Sequence, residues 1–318
     1  MSDLLVTTDN ERNGILIEQI ARNVGLFDMI RKKGGYRAHT GGKKIQVDMS
    51  YKENAGFQFQ TQEQKMSTIH TQPLTFAEYD VKIATVPVTL FDLEDKLNKG
   101  PQAHHNIEAA RLKNAETTMI NQIGAGALYG TGTGFGGKAI AGLQLYISPT
   151  PAVGTVGGIN RATAPYWRNQ VISALTDLGA AKSVTNFRRG LGKLHRSATI
   201  KGTGPNCYVA DNEDFELFES ALQAIERVSS ADEADSDYDM LRYKGKPFIF
   251  DGGLDGGCPP NTTYAIRLED FEFVYVEGRN MQMIPERVPT DQLAKIFYKV
   301  FYGNLIMKRA RHSGIFTA

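Results

Sequence analysis

The sequence has 318 residues, of which 41% are hydrophobic and 22% charged. That balance belongs to a folded chain long enough for two cores and excludes wholesale disorder. Lys and Arg number 36 and Asp and Glu 35, a net charge of +1, which excludes a generally basic nucleic-acid coat and leaves only local patches to meet phosphate.

The two cysteines, Cys207 and Cys258, have neither CxxC spacing nor a flanking His, so a structural zinc site and a disulfide framework are excluded and buried thiols are expected. The N-terminal stretch MSDLLVTTDNERNG lacks the basic and apolar regions of a signal peptide, and no apolar run approaches the ~20 residues that cross a bilayer. The expectation is a chain made in a reducing cytoplasm, with no membrane partner.

The first element reads as a helix over 11–33, with Ile15, Ile20, Val24 and Phe27 on one side and the Gly34-Gly35 pair at its end. Residues 44–52 then alternate strictly: Ile45, Val47, Met49 and Tyr51 face one way, Gln46, Asp48, Ser50 and Lys52 the other. After the turn-forming Glu53-Asn54-Ala55-Gly56, a second alternation through Phe57, Phe59 and Thr61 predicts a β-hairpin. Nothing up to Pro73 reads as a helix that covers it. Because a lone hairpin is marginal in water, its apolar face is expected to pack on another subunit.

Residues 76–90 return to extended structure, with a change of phase near Pro87. The strongest helix signal follows at 101–123, from Pro101 at its first turn to Gly124 past its end, with Leu112, Ala115, Met119 and Ile123 as its apolar stripe. Residues 124–164 are rich in Gly, Pro and Thr and read as loops with a brief strand at 143–147. Amphipathic helices are expected at 168–182, 186–195 and 212–228, and strands at 207–210, 247–250 and 264–266. Residues 297–307, FYKVFYGNLIM, are apolar on both faces, as a strand inside a sheet must be.

Motifs for chemistry are weak. Gly132, Gly134, Gly137 and Lys138 fit a glycine-rich phosphate loop by spacing, but a helix precedes them, Ala139 stands where a hydroxyl is needed, and no helix follows. A flexible glycine turn is the better reading, and a nucleotide-dependent enzyme the weaker one. His104 and Glu108 lie one helical turn apart beside His105 without an HExxH pattern. Asp235, Asp237 and Asp239 resemble the start of a calcium loop, but Met240 and Lys246 occupy the positions that need Gly and Glu. No GxSxG elbow is present, and no cofactor, metal or catalytic residue is assigned.

Charge placement says more. Arg188, Arg189, Lys193, Arg196 and Lys201 form a stretch without an acid, whereas 211–239 hold eleven acids, Glu213, Glu216, Asp235 and Asp237 among them, against one base, Arg227. Opposed patches in one domain suit a head-to-tail contact between copies.

The order of elements, with the stretch Gly157-Gly158-Ile159-Asn160-Arg161 followed by Trp167-Arg168-Asn169, resembles the major capsid proteins of tailed bacteriophages, the Hong Kong 97-type fold. The resemblance implies an α+β fold with an N-terminal arm (1–40), an extended β-hairpin loop (41–75), a peripheral domain (76–164 with 271–318) carrying the spine helix 101–123, and an axial α/β domain (165–270). It implies a subunit that assembles into pentamers and hexamers of an icosahedral shell around double-stranded DNA, located in the virion. The expected partners are a separate scaffolding protein, a portal, a decoration protein and the packaged DNA by non-specific contact. The alternative is an encapsulin-like nanocompartment shell. The contact candidates between subunits are Ile45, Val47, Met49, Tyr51, Phe57 and Phe59 in the loop, with Arg188, Arg189, Lys193, Arg196, Glu213, Glu216, Asp235 and Asp237 in the axial domain. Lys43, Lys44, Lys52 and Lys65 lie in the loop, where the type member carries a cross-linking lysine; no cross-link is expected here.

Overall fold

A computed structural model describes Leu26, Met29, Ile30, Lys33 and residues 35–97, 107–223, 241–250, 257–289 and 293–318. The helix expected at 11–33 lies almost wholly outside the described residues; Leu26 and Ile30, which are described, are helical and buried.

Four strands come first: β1 (Tyr36–His39), β2 (Lys44–Ser50), β3 (Leu74–Asp80) and β4 (Lys82–Phe91). The short α1 (Asp92–Leu97) and the long α2 (Ile107–Tyr129) follow, then α3 (Leu143–Tyr146) and the small pair β5 (Thr155–Val156) and β6 (Ile159–Asn160). The second half runs β7 (Gln170–Ser173), α4 (Val184–Ala198), β8 (Cys207–Ala210), α5 (Asn212–Gln223), β9 (Leu241–Tyr243), β10 (Lys246–Phe250) and β11 (Thr263–Ile266). It closes with β12 (Phe271–Val276), β13 (Gln282–Arg287), β14 (Ala294–Met307) and β15 (Gly314–Thr317).

The apolar run near the C-terminus is β14, the axis of a five-stranded sheet. On one side β4 pairs with it from Ala294↔Phe91 to Gly303↔Lys82; on the other, β13 pairs with its first half and β12 with its second. Past Gly303 the strand has lost β4, and side chains take over. Tyr79 Oη donates to the Met307 carbonyl at 2.7 Å and Tyr146 Oη to that of Leu305. Asn304 donates to the Asp80 carbonyl at 2.8 Å and accepts from the Ala141 amide at 3.2 Å.

The apolar stripe of α2 lies on this sheet as its spacing requires: Leu112 and Ala115 meet Val88 and Phe297, while Met119, Ile120 and Ile123 enter the main core. Glu116 pairs with the buried Lys299 at 2.9 Å. The helix does not stop at Gly124. It continues to Tyr129, and the expected first residues 101–106 lie outside the described residues. The exit comes at Gly130, where a Cβ would sit 2.2 Å from the Gly126 carbonyl oxygen and 2.6 Å from that of Ile140.

The second sheet has six strands in the order β7-β15-β11-β8-β10-β9, with α4 and α5 over an aromatic core of Phe187, Tyr208, Phe218, Phe248 and Phe316. Each such ring contributes roughly 1.5–3 kcal/mol by leaving water. Gly190 lets α4 come down onto β15, since a Cβ there would lie 2.3 Å from the Phe316 ring.

Three expectations are corrected. Residues 168–182 are not a helix: 170–173 pair in parallel with β15, and one turn, Ala174–Leu178, ends at Gly179 with φ 78°. The helical spacing of Val171, Leu175 and Leu178 was overridden by an edge position that β15 leaves open 144 residues later, the separation of Gln170 and Gly314. Residues 143–147 form a helical turn, not a strand. The strand at 44–50 pairs not with 57–61 but with β3, from Lys44↔Asp80 to Ser50↔Leu74.

Two acids of the acidic stretch are structural. Asp211 caps α5 by accepting from the Asp214 amide at 3.0 Å. Asp214, fully buried, accepts from Lys182 Nζ and Thr263 Oγ1, both at 2.6 Å, while Lys182 also donates to the carbonyls of Asn261 and Phe316. Burial drives both groups toward neutrality, raising the Asp214 carboxyl and lowering the Lys182 ammonium. Lys182→Met leaves a buried acid alone and is expected to cost about 3–5 kcal/mol; a melting temperature equal to that of the wild type would show the pair to be dispensable.

Candidate assembly surfaces

The first surface is the loop between β2 and β3. The Tyr51 amide donates to the Pro73 carbonyl at 2.9 Å and closes the loop at its base, beyond which 51–73 contain no strand. Phe57 is 74% exposed and Phe59 91%, their rings in edge contact at 5.2 Å, and Met66 and Ile69 are also open to solvent. The apolar face of β2 is different. Ile45 is buried, and Val47 and Met49 pack against the subunit's own core. Ile45 is thus enclosed by the subunit, Val47 and Met49 keep part of their surface open, and Tyr51 is half covered, its ring 4.6 Å from Tyr166.

The root of the loop is held by the Gly157 to Asn169 stretch. Gly157 has φ 58° and lies so close to β3 that a Cβ would be 2.9 Å from that of Ala77; its carbonyl accepts from the Glu78 amide at 2.9 Å. Arg161, 1% exposed, donates to the carbonyls of Leu145 and Tyr146 at the end of α3. It is a buried cation answered by a helix C-terminus in place of a carboxylate, and burial lowers its pKa. Trp167 Nε1 donates to Val156, Arg168 to the carbonyls of Arg161 and Ala162, and Asn169 exchanges two hydrogen bonds with the Ser148 backbone. Each polar member of the motif thus serves a loop carbonyl or amide. The sequence displayed these residues as a pattern; their common task appears only when β3 and α3 are in place.

The second pair of surfaces lies on either side of α5. Arg188, Arg189, Arg242 and Lys244 rim one depression, floored by Phe218 and Leu222. Glu213 and Glu216, with Leu217 and Ser220, line another on the opposite face of the helix. Arg196 is exposed, whereas Lys193 is turned to the Asp177 carbonyl. Asp235 and Asp237 lie outside the described residues, as do His104, His105 and the Glu108 side chain. Arg242 and Lys244 were missed in the sequence because they join the basic patch only through the β9–β10 turn, across the sheet from α4.

The glycine-rich segment 130–138 is an exposed turn. Phe135, Gly136 and Gly137 take left-handed conformations, and Lys82 Nζ donates to the Gly137 carbonyl at 2.7 Å. It has none of the strand-to-helix setting of a phosphate loop. Among the described residues no three His, Cys, Asp or Glu side chains gather as metal ligands. Cys207 and Cys258 are buried and unbonded to each other, and burial pushes the Cys207 thiol up to about 12.

No family model and no curated protein matches the sequence. Solved structures do. The capsid of cyanophage A-1(L) superposes with a TM-score of 0.62 at 14% identity over 89% of this chain and 90% of that one. The capsid of the Myoviridae phage XM1 gives 0.54 at 11% identity over 90% of each chain. The SrpI encapsulin of Synechococcus elongatus gives 0.51 at 9% identity over 89% of this chain and 84% of its own. The chain has the Hong Kong 97-type fold. Likeness at this identity speaks for architecture, and the fold is shared by phage shells and an encapsulin alike.

Within that fold Gly157 lies against β3 with no room for a Cβ and with a left-handed backbone. Gly157→Val should therefore destabilise by about 1–3 kcal/mol and speed hydrogen exchange at the Glu78 amide; unchanged exchange there would mean that the loop root is held elsewhere.

Proposed function

We propose that the protein is the major capsid protein of a tailed phage, a structural shell subunit that closes around double-stranded DNA as pentamers and hexamers. The observation that carries this reading is the loop 51–73. It is a long excursion with exposed aromatic residues, hung from a root that the subunit's own core holds rigidly. An isolated subunit gains nothing from exposing Phe57 and Phe59; a subunit tiled against copies of itself buries them. The greater likeness to the cyanophage capsid, TM-score 0.62 against 0.51 for the encapsulin, favours a phage shell over a nanocompartment.

On this reading 1–40 form the arm, 41–75 the extended loop, 76–164 with 271–318 the peripheral domain and 165–270 the axial domain. The pairing of β15 with β7 and β11 attaches 314–317 to the axial sheet. Arg188, Arg189 and Arg196 on one side of α5 would face Glu213 and Glu216 of the next copy around a ring, a heterologous contact whose register opposite charges set. A scaffolding protein, portal and decoration protein complete the expected assembly, with the virion as its location. If purified particles contain a protein cargo and no DNA, the encapsulin reading replaces the phage one.

Because Tyr51 and Pro73 already touch, 52–72 can be replaced by a short Gly-Ser link without opening the β2–β3 ladder. That variant should melt like the wild type yet form no closed shells under negative-stain electron microscopy; normal shells would overturn the reading. Reversing Arg188 and Arg189 to Glu should block rings, and reversing Glu213 and Glu216 to Lys in the same chain should restore them.

A further inference from the structure

One further cleft opens beside the loop root and shares Tyr51, Tyr166 and Trp167 with it. It lies between the root of β2, the turn at 165–167 and the corner formed by Arg267 to Asp270 and Lys308 to His312. The backbone joins the two halves of that corner, the Lys308 amide donating to the Asp270 carbonyl at 2.7 Å. Three side-chain atoms in its wall are buried and have no hydrogen-bond partner among the described residues: Arg267 Nη1, Asp270 Oδ2 and His312 Nδ1. Asp270 is 3% exposed and His312 9%. Buried polar atoms are nearly always partnered, so three at one open cleft describe a site for a polar ligand.

The charges around them say which kind. Lys308 is paired with Glu272 at 3.3 Å, and Arg267 Nε with Glu269 at 3.0 Å. Arg309 and Arg311 stand exposed in the same lining, with no ion pair among the described residues. Two free guanidinium groups, an Arg N–H and an imidazole nitrogen favour an oxyanion. Asp270 adds a condition. A carboxylate in the wall repels an anion that offers only acceptors, but accepts a hydrogen bond from one that carries an O–H.

From this cluster we infer that the cleft between the loop root and the 267–270 and 308–312 corner is a binding site for a protonated phosphate group. The phosphate oxygens accept from Arg267, His312 and Arg311, and its P–O–H donates to Asp270. Sulfate, of similar shape but fully ionised at neutral pH, lacks that proton and is turned away. The group can arrive as inorganic phosphate, which keeps a proton at neutral pH, or as a phosphomonoester in its monoanionic form, which predominates below about pH 6.

Calorimetric titration of the full chain at neutral pH tests this with inorganic phosphate, glycerol phosphate and sulfate at equal ionic strength. Phosphate should bind saturably and sulfate at least about tenfold more weakly, the loss expected when one charged hydrogen bond is replaced by repulsion. Binding of glycerol phosphate as well, in a titration repeated at about pH 5.5 where the monoester keeps its proton, would identify a monoester site, and its exclusion there a site for the free ion. Arg311→Gln, at an exposed position, should keep the fold and weaken phosphate about fivefold or more. Asp270→Asn should let sulfate bind as well as phosphate. Absence of phosphate binding, equal binding of sulfate by the wild type, or an unchanged preference in Asp270→Asn would each overturn the site, and none of them bears on the shell reading.

The same residue gives a separate stability test. Burial pushes the Asp270 carboxyl above its ordinary range, and His312, Arg267 and Arg309 only partly offset this. A raised carboxyl pKa contributes stability that is present below the unfolded value and lost as pH rises through the folded one. Asp270→Asn should therefore raise the melting temperature at pH 7 and give no gain below about pH 4; a gain that persists in acid would place the effect elsewhere.

Discussion

The architecture hangs on a single strand that outlasts its neighbour. β14 runs from Ala294 to Met307, but β4 accompanies it only to Gly303. A buried carbonyl without a donor costs about 1–3 kcal/mol, so the strand could not continue into the core unless something replaced β4. Tyr79 and Tyr146 do so, donating to the Met307 and Leu305 carbonyls from the loop root and the crossover, while the Asn304 side chain ties the strand to Asp80, beside Tyr79, and to Ala141. The same hydrogen bonds that complete the strand therefore dock the loop root and the crossover against the central sheet. Past Met307 the chain turns through the 308–312 corner and enters the six-stranded sheet as β15. One continuous segment thus belongs to both sheets, and its two ends cannot move independently without breaking side-chain bonds in between.

The junction repeats this solution wherever backbone is irregular. The crossover after α2 has few ladder partners, and its carbonyls and amides are met by Arg161, Trp167, Arg168 and Asn169. A guanidinium suits such a place because its donors are fixed in a plane and reach two carbonyls at once. The loop beyond this root needs no such support, since 51–73 lie in solvent where water satisfies the backbone. Rigid root and open loop follow from the same accounting of donors and acceptors.

What was legible in the sequence divides along that line. β14 was visible because apolar residues from Phe297 to Met307 fall on both of its faces, and α4 because Phe187, Leu191 and Leu194 repeat at helical spacing over a buried floor. β7 was not, because four residues at a sheet edge carry less local signal than the helical spacing of Leu175 and Leu178 around them; the decisive partner lies at the other end of the chain. The hairpin was half legible. Alternation placed β2 correctly, but it cannot name a partner, and Phe57 and Phe59 alternate for exposure rather than for pairing. The Gly157 to Asn169 motif could be seen but not explained, since its purpose is to hold atoms supplied by β3 and α3. The phosphate cleft was invisible, as Arg267, Asp270, Arg311 and His312 sit in two segments without any motif.

Charge shows most plainly how folding changes a sequence-level number. A net charge of +1 describes the chain, yet no neighbour ever meets a total. Asp211 and Asp214 are consumed in capping α5 and neutralising Lys182, and Lys193 is turned onto a carbonyl. Among the described residues, Arg188 and Arg189 rim one face of α5 and Glu213 and Glu216 line the other. On the shell reading proposed above, the sorting matters more than the sum: like faces repel, unlike faces attract, and a total near zero keeps long-range repulsion from opposing the contacts between copies. Burying two acids inside the fold therefore sharpens the surface pattern, because among the described residues it leaves Glu213 and Glu216 as the carboxylates that line that face.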